Sequence, residues 1–208
     1  MKRAFSIFLI AILTMSLTLG TLVSCGGSAY EITVELYPSV APVTVDNFVT
    51  LAESGFYNGL TFHRVMEGFM IQGGDPNADG TGSSPNKIKG EFLANGFNNT
   101  LSHTRGVISM ARSAYSYNSA SCQFFICNAD AIFLDGQYAA FGEVVEGMDV
   151  VDAITETAVS LGYSELITNK RHQPIIKKIT IENTEDGRIF AHIFVTNFNM
   201  PTEDVDNK

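Results

Sequence analysis

Cysteine is scarce in this sequence, and its placement argues against structural cross-links. Of the three cysteines, Cys25 lies in an apolar N-terminal segment, and Cys122 and Cys127 are five residues apart in a strand-like run. Side chains at that spacing point to opposite faces of a strand, so we expect no disulfide between them. Two lone cysteines do not make a zinc site either. We therefore expect both to be small buried side chains.

Positive charge is also in short supply. The chain has 13 Lys and Arg against 22 Asp and Glu, for a formal net charge of −9. Beyond the N-terminal segment, the basic residues form no cluster of the kind that neutralises phosphates. Nucleic acid is therefore not an expected partner, and the acidic surface is expected to serve solubility.

The sequence also lacks the familiar signatures of covalent and metal catalysis. There is no G-x-S-x-G elbow and no H-E-x-x-H spacing. The run DPNADG (75–80) imitates the opening of a calcium loop, but its twelfth position is Asn86 where a glutamate is needed. Cys122 could act as a nucleophile only beside a positioned histidine, which sequence alone does not reveal. We expect no metal and no cofactor.

The N-terminal segment is typical of an export signal. Lys2 and Arg3 precede an uncharged, mainly apolar run over residues 4–23, which ends in the sequence LVSC. Residues 22–25 resemble the lipobox of bacterial lipoproteins, which implies cleavage after residue 24 and lipidation of Cys25. Residues 25–29 then form a short tether, and the protein is an extracytoplasmic, membrane-anchored lipoprotein of the bacterial envelope. A retained membrane anchor is the alternative.

Hydrophobic periodicity predicts many short strands and two helices. Residues 30–37 alternate strictly, as a half-buried strand does. A helix is expected to begin at Pro42 and to end before Gly55, and a second covers 148–154. Further strands are predicted at 61–65, 69–73, 106–111, 123–128, 138–145 and 174–182. The pattern favours a mainly β antiparallel barrel or sandwich. Residues 185–208 are expected to form a C-terminal appendage.

One segment combines residue types that rarely occur together. FHRVMEGFMIQGGD (62–75) places a permanent cation and an amide among large apolar side chains. Together with GVISMAR (106–112) and QFFICNADAIFLDGQYAAFGEV (123–144), it resembles the cyclophilin family of peptidyl-prolyl isomerases. The resemblance covers residues 30–184. It implies an eight-stranded, antiparallel, closed β-barrel capped by two α-helices, which acts on proline-containing polypeptides and is expected to be a monomer.

The residue types suit that chemistry on physical grounds. Rotation about a peptide bond faces a barrier of about 18–20 kcal/mol, and X-Pro bonds exchange over tens to hundreds of seconds. No bond is broken, so no nucleophile is required. In the twisted amide the nitrogen lone pair is no longer delocalised and accepts a hydrogen bond. A guanidinium donates without accepting and is always charged, which suits it to that role.

The resemblance assigns roles to individual residues. Arg64 is the catalytic arginine, and the substrate-binding residues form an apolar pocket with a polar flank: His63, Phe69, Met70, Gln72, Ala111, Arg112, Gln123, Phe125, Phe133, Leu134 and Tyr138. Within this set, His63 and Tyr138 are placed near the pocket rim. Gln72 is expected to bind the substrate backbone with help from the main chain at Ala111 and the side chain of Arg112.

The substitutions relative to the family resemble bacterial members. Phe133 stands where many eukaryotic members have tryptophan, Tyr138 replaces a common histidine, and Arg112 replaces a common asparagine. The predicted function is isomerisation of X-Pro bonds in exported or cell-surface proteins during folding. A non-catalytic module or chaperone that holds proline-containing segments in the same groove is the alternative.

Overall fold

The computed structural model describes residues 29–200, whose main feature is a single sheet of eight strands in antiparallel pairs. Their order across the sheet is β2-β3-β5-β4-β6-β1-β8-β7. The strands are β1 (Tyr30–Leu36), β2 (Phe62–Met66), β3 (Met70–Gly73), β4 (Val107–Met110), β5 (Phe124–Cys127), β6 (Ala140–Glu146), β7 (Ile175–Asn183) and β8 (Ile189–Thr196). The mainly β, antiparallel prediction is confirmed.

The sheet curls strongly but is not the closed barrel that was expected. Its edge strands, β2 and β7, are joined at one end alone. There, Thr61, just before β2, forms an isolated antiparallel bridge with Ile175, and Phe62 N–H donates to Pro174 O at 2.9 Å. Further along β2, the segment 163–167 forms the backbone hydrogen bonds that β7 would have to form to close the barrel. There, Val65 N–H donates to Glu165 O at 2.9 Å, and Ile167 N–H donates to His63 O at 2.8 Å. Residues 163–167 thus cover part of the β2 edge and keep β7 from pairing along it.

The eighth strand lies within the segment that was expected to be an appendage. Residues 189–196 pair with β1 on one side and with β7 on the other, so this part of the segment belongs to the sheet. Its alternation is clear in retrospect, since Ala191, Ile193 and Val195 are fully buried between half-exposed neighbours. Residues 201–208, together with the predicted signal segment 1–24 and Cys25, lie outside the described residues.

Two α-helices pack on the sheet where the periodicity predicted them, although the second runs to residue 160 and not only to 154. Helix α1 (Pro42–Glu53) begins with proline in its first turn, and its free N–H groups are bound by a distant carboxylate. Glu91, almost fully buried, accepts from Val43 N at 3.0 Å and from Thr44 N at 2.8 Å. Helix α2 (Met148–Ser160) buries Val150, Val151 and Ile154 against the core.

The two cysteines of the described region are free and buried, as expected. Burial raises the pKa of Cys127 to about 12, so its thiol is inert. Within residues 29–200, no helix has the length and apolar character needed to cross a membrane.

Candidate active site

The curled sheet buries one face and leaves a smaller apolar cluster on the other. Val65, Ile71 and Ile126 are register partners that belong to the main core. Because strand side chains alternate between faces, the next row of partners, Arg64, Gln72 and Phe125, lies together on the opposite side. The strand pairing therefore brings a cation, an amide and an aromatic ring side by side, although they come from three strands.

Beside this row lies a pocket of about 280 Å³. Met70, Phe125 and Leu134 are 1%, 4% and 8% exposed and form an apolar base for it. At its mouth the half-exposed ring of Phe69 and the exposed ring of Phe133 lie 5.4 Å apart. All the residues that line it were predicted as site residues: Arg64, Phe69, Met70, Gln72, Ala111, Arg112, Phe125, Phe133, Leu134 and Tyr138.

Arg64 is held by groups on three sides while it faces this pocket. Its Nη1 donates to Gln72 Oε1 at 3.2 Å, and its Nη2 contacts Met66 Sδ at 3.0 Å. Nε and Nη2 also donate to Glu165 Oε1, at 3.1 and 2.9 Å. A guanidinium has five N–H bonds, so these contacts leave one, on Nη1, for a further acceptor. Glu165 was not predicted as a site residue, because no local sequence pattern links residues so far apart.

Gln72 is fixed from its other end by Gln123. Gln72 Nε2 donates to Gln123 Oε1 at 2.8 Å, and Gln123 Nε2 donates to the carbonyls of Gly80 and Gly82 at 3.2 and 2.8 Å. These bonds fix the orientation of both amides. Gln123, predicted among the substrate-binding residues, does not line the apolar pocket but an adjoining hollow.

Arg112 lies on aromatic rings at the pocket wall. Its guanidinium carbon is 4.4 Å from the ring centroid of Tyr138 and 5.1 Å from that of Tyr117. Nε donates to Gln137 O, and Nη1 donates to Ser113 O, both at 2.9 Å. The side chain is thus immobilised at the site where contact with the substrate backbone was predicted.

His63 does not reach the pocket rim, contrary to the prediction. It precedes Arg64 in β2, where the register with β3 shifts between Phe62 and Arg64, and its ring is fully buried. Neither ring nitrogen has a hydrogen-bond partner among the described residues. Burial lowers the pKa of His63, although the nearby Asp75 opposes the shift. His63 therefore belongs to the packing under the site.

A second histidine supports the pocket base and was not predicted. The ring of His103 stacks on Phe125 with centroids 6.1 Å apart. Its Nδ1 is 2.8 Å from Asp135 Oδ1, and its Nε2 is 3.0 Å from Ser109 Oγ. Burial lowers the pKa of His103 despite the opposing effect of Asp135. These contacts fix the ring against which Phe125 rests.

The loop that imitated a calcium site binds its own backbone. Both carboxylate oxygens of Asp75 accept backbone N–H groups, from Asn77 at 2.9 Å and from Asp79 at 3.1 Å. Across residues 29–200, no group of three or more His, Cys, Asp or Glu side chains is arranged to hold a metal ion. The groups that the site offers to a ligand are thus the guanidinium of Arg64, a hydrogen-bond donor, and the apolar pocket beside it.

The sequence of this chain matches a known protein family. A model of the cyclophilin type peptidyl-prolyl cis-trans isomerase/CLD family matches residues 23–186. The chain belongs to the cyclophilin family. A peptidyl-prolyl cis-trans isomerase of Helicobacter pylori (strain J99) is 45% identical over 128 residues, which are 61% of this cyclophilin and 75% of the relative. Peptidyl-prolyl cis-trans isomerase A of Dickeya dadantii is 47% identical over 134 residues, 62% and 68% of the two chains.

A solved structure agrees with the fold. A cyclophilin type peptidyl-prolyl cis-trans isomerase of Cryptosporidium parvum, crystallised in the presence of the dipeptide Ala-Pro, superposes with a TM-score of 0.62 at 28% identity. The match covers 74% of this chain and 93% of that one. The predicted identity as a cyclophilin-type prolyl isomerase is confirmed by these relatives.

Proposed function

We propose that this cyclophilin accelerates X-Pro rotation by donating a hydrogen bond from Arg64 to the prolyl nitrogen of the twisted amide. The observation that carries the proposal is the N–H of Arg64 Nη1 that remains after its bonds to Gln72, Met66 and Glu165, on a side chain that lines the apolar pocket. The proline ring occupies that pocket against Met70, Phe125 and Leu134, which burial and packing keep rigid.

The mechanism depends on a difference between ground and transition states. In the planar amide the nitrogen lone pair is delocalised and is a poor acceptor, whereas in the twisted amide it is localised. A donor fixed beside that nitrogen therefore binds the transition state more strongly, which is the condition for acceleration. Because Gln72, Glu165 and the pocket wall orient the guanidinium beforehand, little reorganisation is needed when the amide twists.

The test is exchange NMR on an X-Pro peptide with catalytic amounts of protein. Wild-type protein is expected to accelerate cis/trans exchange, and Arg64→Ala is expected to reduce the acceleration about 10- to 100-fold, as loss of one charge-assisted hydrogen bond predicts. Peptide binding shifts without faster exchange in the wild type would instead indicate a holding module. Full activity in a folded Arg64→Ala variant would exclude the proposed role of Arg64.

We further propose that the protein works outside the cytoplasm on exported or cell-surface polypeptides, anchored by a lipid on Cys25. The support is the sequence alone: a basic start, an apolar run over residues 4–23 and the LVSC junction. A diacylglyceryl group carries two acyl chains, and two lipid signals give stable anchoring. One copy is enough for the site, because all the pocket residues belong to one chain, so we propose a monomer.

Metabolic labelling with radioactive palmitate tests the anchor. Label is expected in the wild type and in a Cys122→Ala control, whose cysteine is buried in the domain, and is expected to be lost from Cys25→Ala. Label that persists in Cys25→Ala would contradict lipidation at that residue. Fractionation of the same three proteins between membrane and soluble extracts provides an independent measure.

A further inference from the structure

A second hollow adjoins the proline pocket and shares part of its wall. It also measures about 280 Å³, and Gln72, Ala111 and Arg112 line both. The rest of its lining comes from the segment 80–83, from Lys87 and from serines of the 113–121 loop. A bound peptide advances about 3.3–3.6 Å per residue when extended. We therefore expect a side chain one to three residues from the proline to reach this hollow across the shared wall.

The charge of this hollow is opposite to that of the protein. Lys87 and Arg112 line it, and among the described residues no Asp or Glu does, although the chain carries 22 acidic against 13 basic residues. Asp79 lies next to the lining segment, but its Oδ1 accepts from both the N–H and the hydroxyl of Thr81, at 2.9 and 2.6 Å. The two cations thus face the hollow with no carboxylate in its wall.

Both cations have hydrogen-bonding capacity to spare. Arg112 uses Nε and Nη1 for the carbonyls of Gln137 and Ser113, and its Nη2 makes no hydrogen bond to a described residue. Its stacking on Tyr138 and Tyr117 holds it in place, so a further bond costs little side-chain entropy. Lys87 is exposed and forms no ion pair within residues 29–200.

We propose that this hollow makes the isomerase selective for substrates that carry an Asp or Glu one to three residues from the proline. The carboxylate lies between Lys87 and Arg112, while the proline ring occupies the neighbouring pocket. This inference rests on the proposed function, because the selectivity acts on the same bound peptide. The proposed substrates are acidic proline-containing segments.

The experiment uses peptides in matched pairs. Each pair has Glu or Gln at one position from three residues before to three residues after the proline, so the two members differ in charge and little in shape. For the wild type, kcat/KM is expected to be about 3- to 10-fold higher for Glu than for Gln at one or more adjacent positions, as one or two partly exposed ion pairs predict. Raising NaCl from 0.05 to 0.5 M is expected to reduce this ratio.

Two lysines of the same segment provide a matched control. Lys87→Gln is expected to lower the Glu/Gln ratio at least about 2-fold, and Lys89→Gln, which removes an equal exposed charge outside the hollow, is expected to leave it unchanged. Arg112→Gln should lower the ratio further, toward 1. A ratio near 1 at every position for an active wild type, or an equal effect of the two lysine variants, would overturn the proposed selectivity. Lack of acceleration on all peptides, Gln members included, would instead count against the proposed function.

Discussion

Arg64 and Glu165 are joined by two hydrogen bonds across a separation of 101 residues along the chain. Both Nε and Nη2 donate to the same carboxylate oxygen, at 3.1 and 2.9 Å. The Glu165 side chain is 59% exposed, so solvent screens the pair, and it contributes about 0.2–1 kcal/mol to folding at most. Its consequence is geometric, because it sets the direction in which the remaining N–H of Nη1 points.

Glu165→Gln is predicted to lower kcat about 2- to 5-fold with little change in KM. The amide is a weaker acceptor than the carboxylate, so the guanidinium samples more orientations and spends less time aimed at the prolyl nitrogen. Protease-coupled or NMR exchange assays give both constants. Glu53→Gln, an exposed substitution at the end of α1, is the control. An unchanged kcat in Glu165→Gln would show that Gln72 and the pocket wall orient Arg64 without help.

Arg64→Lys is predicted to restore little of the activity lost in Arg64→Ala, leaving a rate about 5- to 50-fold below the wild type. A lysine keeps the charge, but its ammonium cannot reproduce the planar fork that binds Glu165 and Gln72 together and still donates into the pocket. Cis/trans exchange rates of the three proteins on one peptide give the comparison. Near wild-type activity in Arg64→Lys would mean that charge alone is sufficient.

Phe125 and Phe133 are predicted to respond differently to truncation, although both line the proline pocket. Phe125 is 4% exposed and packs with Met70 and Leu134, so Phe125→Ala should destabilise the fold by about 3–5 kcal/mol. Phe133 is 64% exposed, so Phe133→Ala should cost below about 1 kcal/mol and act mainly by raising KM.

Urea unfolding and steady-state kinetics separate the two effects. A large loss of stability in Phe133→Ala, or a negligible one in Phe125→Ala, would contradict the distinction drawn from burial. Any protein that has not folded is recognised by the loss of its cooperative transition.

Ten of the predicted site residues line one pocket, and all ten lie in three motifs whose spacing resembles a known family. Two departures came from long-range structure. Glu165 reaches Arg64 only because residues 163–167 lie along the edge of β2, which local periodicity does not reveal. That same contact keeps the sheet from closing as expected. The position of His63 was also not predictable from local pattern, because the register of β2 with β3 shifts between Phe62 and Arg64.

The eighth strand was not predicted, because the polar composition around it obscured its alternating pattern. Residues 185–188 form a polar, charged turn, and Gly187 in it has φ of +86°, so the chain after residue 184 read as a tail. The same features are those of a hairpin turn. Ala191, Ile193 and Val195 then supply a buried face at a period of two residues. Local sequence patterns do not predict its pairing with β1, which lies almost 160 residues earlier.

The protein is predicted to lose stability as the pH falls below about 6.5. Burial lowers the pKa of His63 below its usual 6.5, so the folded protein holds this ring neutral while the unfolded chain binds a proton. The unfolded state therefore binds more protons as pH falls below about 6.5, and the free energy of unfolding decreases until the folded-state pKa is passed. One such group changes stability by at most about 1.4 kcal/mol per pH unit. His103, whose pKa is lowered by burial as well, acts in the same direction.

His63→Leu is the variant that isolates this effect. It replaces the titrating ring by an apolar side chain, and no hydrogen bond is lost because neither ring nitrogen has a partner among the described residues. Denaturant unfolding between pH 7.5 and 5 is expected to give a flatter pH dependence for His63→Leu than for the wild type. His192→Leu provides the comparison, because each ring nitrogen of His192 has a carboxylate partner, Glu31 at 2.6 Å and Glu182 at 3.0 Å, whereas the ring of His63 has none among the described residues. Equal slopes for wild type and His63→Leu would mean that His63 gains a proton as easily in the folded protein as in the unfolded chain.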